Sequence, residues 1–410
     1  MLPVVIVRDL RLDLIRGLAL WLIFLDHIPS NVVSWITIRN YGFSDAAEIF
    51  VFISGYANTY FHGEVARQHG MAAAAVPVLK RAWQLYAAQI LLFAIYVGVV
   101  GYLGSGRQHY ADETNIAYFL QQPDVLMLQA LLLKFKPVDL DPLPLYFVLM
   151  LVFPVILWLL GRLPIAILTS SVVLYVIART LDWNLPAYPS GGWYFNPFAW
   201  QLLFVLGAWC AIGGENSIDW FVRSRAVMIL AGLYLLFSFV IVMSWNFPQL
   251  ASLVPQWLGG MLYPIDKTNL DPLRVLHFLA LAIVAVRLVP KDWPGLGASV
   301  LRPIIICGQH SLEVFALGVL LSFVGHFATL ELSSNVAMQV LVSVGGVTTM
   351  VAMAAALSWC NSVEVPVRFA SHLSGSHRTE GRELRQMTPN PQLPETVLRG
   401  CSRSISGKVY

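Results

Sequence analysis

Charge is what this 410-residue chain has least of. Asp, Glu, Lys and Arg make up 12% of it against 57% hydrophobic residues, about half the charged fraction of an ordinary soluble domain. A soluble globular fold is excluded on that ground, and a formal net charge of +3 gives no footing for nucleic acid as a partner. Cysteine is scarce as well. Cys210, Cys307, Cys360 and Cys401 lie far apart, with no Cys-x-x-Cys and no histidine at ligand spacing, so neither a disulfide framework nor a metal site is expected. Walker, Rossmann and nucleophile-elbow motifs are missing, which removes soluble nucleotide and esterase chemistry. No internal repeat, direct or inverted, is visible, and that weighs against a secondary transporter built from duplicated halves. Arg8, Arg11 and Arg16 precede an apolar run as in a signal peptide, but Asp26-His27 interrupts it and no Ala-x-Ala site follows. The segment is expected to be retained.

What is there is hydrophobic length. Apolar runs long enough, or nearly so, to span about 30 Å of hydrocarbon occur near 12–30, 44–62, 76–103, 143–161, 164–181, 197–213, 226–245, 273–289, 303–326 and 336–360. The expectation is an all-α, polytopic membrane protein of about ten transmembrane helices, with a membrane domain over 1–365 and a flexible, polar cytoplasmic tail over 366–410. Ten crossings put both ends on one side, and Lys and Arg decide which. With the ends inside, 19 of the 26 basic residues are cytoplasmic, including the seven from Arg368 to Lys408. The outer segments keep only Arg39, Arg107, Lys134, Lys136, Arg179, Lys267 and Arg274. Both termini are therefore predicted to be cytoplasmic. The stretch 125–135 is too short to cross and is left either to lie in the interface or to plug the outer mouth.

Titratable side chains stand inside the first two runs, where an ionisable group is costly and is paired or functional. At about 100° per residue, Arg16 and His27 fall within roughly 20° of each other with Asp13 on the same side, and His27 sits roughly 16 Å farther along the axis. In the second run Asp45, Glu48, Phe52 and Tyr56 form a stripe at i, i+3, i+7 and i+11. One reading makes Asp13 and Arg16 an i,i+3 pair at the membrane edge, with Asp26 and His27 merely ending the helix. It leaves Asp45 and Glu48 without partners. The other reading makes the two faces a shared site in which His27 is a general base oriented by a carboxylate, Asp26, Asp45 or Glu48. Such a base would take a proton from a hydroxyl attacking an activated acyl group.

Arg16, Lys80 and Arg81 gather on the predicted inner side, where an anionic donor such as acyl-coenzyme A would meet them; ordinary positive-inside topology accounts for Lys80 and Arg81 equally well. Two outer connections are crowded with rings and turn residues, one running from Trp183 through Trp193 and Asn196 to Pro197, the other from Phe247 to Gly260. They read either as an interfacial aromatic belt or as a platform on which sugar rings stack while amides bond the hydroxyls.

Leu12-Asp13-Leu14-Ile15-Arg16-Gly17 followed by His27 resembles the opening motif of the acyltransferase-3 superfamily, and Glu48 through Ser54-Gly55-Tyr56 is similar to its acidic FFxxSG segment. Ser44-Asp45-Ala46-Ala47-Glu48, Lys80-Arg81-Ala82-Trp83-Gln84-Leu85-Tyr86, Leu143-Pro144-Leu145-Tyr146, Phe195-Asn196-Pro197-Phe198-Ala199-Trp200-Gln201 and Gly308-Gln309-His310-Ser311 resemble the OpgC branch. The resemblance implies a multi-pass O-acyltransferase of the bacterial inner membrane. It would move an acyl group, succinyl in the OpgC branch, from cytoplasmic acyl-CoA to hydroxyls of a periplasmic glucan, with no permanently bound cofactor. It maps the catalytic His onto His27, the Arg onto Arg16 and the opening Asp onto Asp13. The superfamily often has a second arginine three residues after the one matching Arg81, where this chain has Gln84. Trp193, Asn196, Trp200 and Gln201 are the acceptor-binding candidates. A transporter or flippase for an anionic or glycosidic solute, using Asp45, Glu48 and His27 as a proton relay, is one rival reading, and a non-catalytic polytopic subunit is the other. Membrane lipid, acyl-CoA and glycan are the expected partners.

Overall fold

The computed structural model describes residues 9–103, 115–290 and 293–383. Among these residues the regular structure is helical, and the one β feature is an isolated bridge between Pro186 and Gly192. The helices are α1 (Leu10–Asp26), α2 (Ala46–His69), α3 (Met71–Leu103), α4 (Ile116–Gln121), α5 (Pro123–Leu131), α6 (Pro142–Leu160), α7 (Pro164–Thr180), α8 (Pro197–Trp209), α9 (Glu215–Val222), α10 (Arg225–Asn246), α11 (Gln256–Leu262), α12 (Pro272–Leu288), α13 (Arg302–Gln309), α14 (Ser311–Glu331) and α15 (Val336–Glu383). Proline opens α5 to α8 and α12, where its missing N–H is no loss and its fixed φ suits the first turn.

Each of the ten apolar runs is helical, and among the described residues six helices are long and apolar enough to cross a membrane: α3, α6, α8 continued through α9, α10, α14 and α15. The remaining runs fall short for visible reasons. α1, α7 and α12 stop at 17 residues each, and α1 and α2 carry the charges that made them conspicuous. The run 303–326 supplies one of the six only through α14, because the backbone breaks at His310 (φ −111°, ψ 44°) after α13. The short stretch near 125–135 is the nine-residue α5 and a turn. The chain divides into compact units after Ala356. The segment expected to be a flexible tail from 366 is helical as far as Glu383; positions 384–410, and 104–114 of the long connection, lie outside the described residues.

Two close crossings bring the motif-bearing helices together. A Cβ on Gly17 of α1 would stand 1.9 Å from the Ile304 carbonyl oxygen of α13, and one on Gly308 of α13 would stand 1.9 Å from the Asp13 carbonyl oxygen. The same reciprocity joins α2 to α8: a Cβ on Gly55 would be 2.0 Å from Phe204 O, and one on Gly207 would be 2.1 Å from Phe52 O. Only hydrogen fits at these points, so backbones meet there as they do at small-residue crossings in membranes. Around them lie the fully buried Phe24, Phe153, Trp200 and Phe204, with Phe153 edge-on to Phe204 at 5.6 Å.

Candidate functional site

α1 places its polar stripe as its period demands. Arg16 Nη1 stands 3.7 Å from Asp13 Oδ1, and His27 caps the far end of the helix. His27 Nδ1 is 2.5 Å from the Ile23 carbonyl oxygen. A carbonyl oxygen only accepts, so Nδ1 carries the hydrogen, and in the neutral ring Nε2 keeps its lone pair. That Nε2 faces Asp139 Oδ1 at 3.3 Å, with the two side chains 26% and 25% exposed, enough for a substrate to reach them. Asp139 lies in the connection between α5 and α6, which is bent by left-handed backbone at Leu133 (φ 58°) and Asp139 itself (φ 72°), a conformation aspartate tolerates better than most residues.

The carboxylate that meets His27 is thus none of the three weighed from sequence. Asp26 accepts from Thr37 Oγ1 at 2.6 Å. Asp45 and Glu48 form the capping box of α2: Asp45 Oδ1 accepts from Ala47 N at 2.8 Å and Glu48 Oε2 from Asp45 N at 2.9 Å. Their outer oxygens meet two cations. Lys267 Nζ is 2.6 Å from Asp45 Oδ2, and the Arg274 guanidinium reaches Asp45 Oδ2 at 3.1 Å and Glu48 Oε1 at 2.6 Å. Two anions and two cations offset one another in a site where any one alone would be costly. Beside them His277 Nδ1 accepts from Ser44 N at 3.3 Å and sits 2.7 Å from Ser44 Oγ, so this histidine pins the loop before α2.

Two cavities open along this framework. One, of about 560 Å³, is lined by Asp13, Arg16, Ser54, His62, Arg81 and Tyr146 among others. The other, of about 1110 Å³, is lined by His27, Asp139, Asp26, Asp45, Lys267 and Arg274 among others. Ile23, Ala47, Pro142 and Phe195 belong to the walls of both, so the cavities meet at a partition of these four residues.

Of the three donor-site candidates, Arg16 and Arg81 line the smaller cavity, whereas Lys80 is exposed outside it. Gln84, at the position where the superfamily often has a second arginine, accepts from Arg81 Nη1 at 3.3 Å. The acceptor-site candidates lie behind the larger cavity's wall. Asn196 is fully buried, donating to Trp183 O and Asn269 Oδ1, while Trp200 Nε1 donates to Lys267 O at 3.1 Å and Gln201 Nε2 to Ser171 O at 2.9 Å. They tie α8 to the 266–271 turn and to α7. Trp193 is buried with Lys136 Nζ 3.9 Å from its ring centroid. In the connection from Trp183 to Pro197, the rings that line the larger cavity are Tyr188, Tyr194 and Phe195.

Sequence reasoning passed over Asp139, Lys136, Asp141, Lys267 and Arg274. A signal was available, because five of the seven cations assigned to the outer side, Arg39, Lys134, Lys136, Lys267 and Arg274, line the larger cavity. Lys136 pairs with Asp141 at 3.7 Å in the connection before α6. Burial pushes Lys136 down to about 8, against the pull of Asp141, and pushes Asp141 up to about 6, against the pull of Lys136. Among the described residues no three His, Cys, Asp or Glu side chains gather as metal ligands.

No curated protein and no solved structure matches the chain. The family described as OpgC protein matches it over residues 8–362, from two residues before α1 to the middle of α15. That span takes in every residue of both cavities, and the chain belongs to the OpgC family, which carries an acyltransferase role in glucan modification.

Proposed function

We propose that the chain transfers a succinyl group from cytoplasmic succinyl-CoA to a hydroxyl of a periplasmic glucan, across the inner membrane. The observation that carries this reading is the pair of cavities on either side of one partition, with Arg16 and Arg81 in the first and the His27–Asp139 pair in the second. A coenzyme A phosphate group suits two arginines, which bind phosphate bidentately. The pantetheine arm would then carry the thioester toward the partition, a distance on the order of the roughly 16 Å of helix between Arg16 and His27. The 19-to-7 division of basic residues supports a cytoplasmic Arg16 end and ten crossings in all.

In the transfer step the sugar hydroxyl gives its proton to His27 Nε2 as its oxygen bonds to the thioester carbon. The carbonyl π pair moves to oxygen. When the tetrahedral intermediate collapses, the C–S bond breaks and the departing thiolate takes the proton back from the imidazolium. Ile23 O holds the Nδ1–H tautomer throughout, and Asp139 stabilises the cation that forms. Tyr188 and Tyr194 offer faces for the acceptor's sugar rings.

Purified protein in lipid, given succinyl-CoA and glucan, should release free coenzyme A and yield succinylated glucan by mass spectrometry. The His27→Ala variant should insert normally, bind donor, and lose at least about a hundredfold in rate. Glucan acylation by that variant near the parent rate would sink the proposal, and labelled acyl trapped on His27 without acceptor would replace general base by nucleophile.

A further inference from the structure

Tyr146 ends the Leu143-Pro144-Leu145-Tyr146 block and has no part in the transfer as written above. Its side chain is 7% exposed and lines the Arg16 cavity, with the ring edge-on to Phe50 at 5.2 Å. Its Oη is buried and donates no hydrogen bond, with the Ser54 hydroxyl placed to donate to it and Arg16 near. A buried hydroxyl that donates to nothing is a cost to the fold, and one held beside a cavity is satisfied by whatever acceptor the cavity receives.

Its position along α6 says which part of a ligand that would be. Pro142 belongs to the partition between the cavities, and Tyr146 is four residues farther on, one helical turn into the Arg16 cavity. Ile23 also belongs to the partition, and His27 is four residues beyond it, one turn into the other cavity. The base and the phenol therefore flank the same wall from opposite sides. A thioester lying in the wall would present its carbonyl carbon to a hydroxyl activated by His27 and its carbonyl oxygen to Tyr146.

We propose that Tyr146 is a catalytic residue whose hydroxyl donates a hydrogen bond to the thioester carbonyl oxygen and stabilises the oxyanion formed as the acceptor attacks. This rests on the acyl-transfer reading. Tyr146 keeps its proton: the acceptor's C–O bond forms, the carbonyl pair moves onto oxygen under the Tyr146 O–H, and the C–S bond breaks as that pair returns. A donor aimed where charge develops is worth on the order of 10²–10³ in rate.

Tyr146→Phe removes one O–H and keeps the ring against Phe50. It should accumulate as the parent does, bind succinyl-CoA with unchanged KM, and lose roughly 10²–10³ in kcat. In the parent, the infrared carbonyl stretch of bound ¹³C-labelled thioester should lie below its solution frequency, and the variant should restore it. If Tyr146→Phe does not accumulate, 3-fluorotyrosine at position 146 decides the matter, since its more acidic hydroxyl should lower that stretch further. A parent that transfers while Tyr146→Phe keeps kcat within threefold overturns the assignment alone, as does a carbonyl stretch that fluorination leaves unmoved. A parent that releases no coenzyme A removes the acyl-transfer reading and this assignment together.

Discussion

Gly17→Ala tests whether the first crossing positions the chemistry. The added methyl would begin 1.9 Å from the Ile304 carbonyl oxygen, where an ordinary carbon–oxygen contact is about 3.3 Å. Neither atom can yield by a rotamer change, because both are fixed to backbone, so α1 and α13 must separate by about 1.4 Å, the difference of those two distances. Overpacking of that kind costs about 1–3 kcal/mol, which lowers abundance without abolishing the fold. The displacement matters more than the energy. Arg16 adjoins Gly17, His27 is on the same helix, and Asp139 and Tyr146 are carried by other elements. A misplacement of about 1 Å costs on the order of a hundredfold in a reaction that depends on alignment. Gly17→Ala and Gly308→Ala should therefore each lower transfer per molecule of inserted protein by about that factor. The double variant should be little worse than either, because one separation relieves both clashes. The assay is coenzyme A release in proteoliposomes, normalised to inserted protein. A Gly17→Ala protein with parental turnover would show that the crossing is mere packing and refute the reasoning.

Asp139→Asn is tolerated by the backbone, since asparagine accepts the same left-handed conformation, but its amide would donate to Nε2 and occupy the lone pair that must take the proton. Transfer should fall at least about a hundredfold with the donor KM unchanged; parental kcat in this variant would free His27 from Asp139. Lys136 and Asp141 predict a pH dependence of stability. Asp141, raised from 3.8 to about 6, is at its most stabilising below its unfolded value, and that contribution is lost as pH rises through about 6. Lys136, lowered from 10.5 to about 8, disfavours the folded state until pH climbs from about 8 toward 10.5. Both costs are present between about 6 and 8. Lys136→Met with Asp141→Asn should therefore raise the melting temperature most in that window and progressively less toward acid and alkaline pH. A difference independent of pH would show that the pair is not buried as charges.

A helix's own period was enough to put Asp13, Arg16 and His27 on one face of α1, and the i,i+3 relation of Asp45 and Glu48 was enough to group them. The same period is silent about which helices meet. Asp45 and Glu48 take their cations from Lys267 and Arg274, more than two hundred residues later, and His27 takes its carboxylate from a connection whose path depends on two left-handed residues. The acceptor candidates line neither cavity for a related reason. Asn, Trp and Gln next to aromatic loops look like sugar ligands, yet Asn196, Trp200 and Gln201 spend their polar atoms holding α8 to its neighbours. Composition near a loop does not tell an amide that binds ligand from one that satisfies buried backbone.

The glycines and the outer cations carried more than periodicity could extract. Gly17, Gly55 and Gly308 stand inside the very blocks that resemble the family, and each lies where another helix's backbone leaves no room for a Cβ. Those blocks therefore encode helix crossings as much as chemistry: Gly17 and Gly308 seat the helix that bears Arg16 and His27, and Gly55 with Gly207 seats the one that bears Asp45 and Glu48. The cations argue in the same direction. In a chain this poor in charge, each cation assigned to the outer side runs against the positive-inside bias. Arg179 is accounted for by Asp271 at 3.3 Å, Arg107 lies outside the described residues, and the other five line the His27 cavity. Two of them, Lys267 and Arg274, are the partners that Asp45 and Glu48 required. An exception to the topological rule thus marks the site as directly as an ionisable residue within a membrane helix does, and reading the two exceptions together would have paired α2 with the turn before α12 from sequence alone.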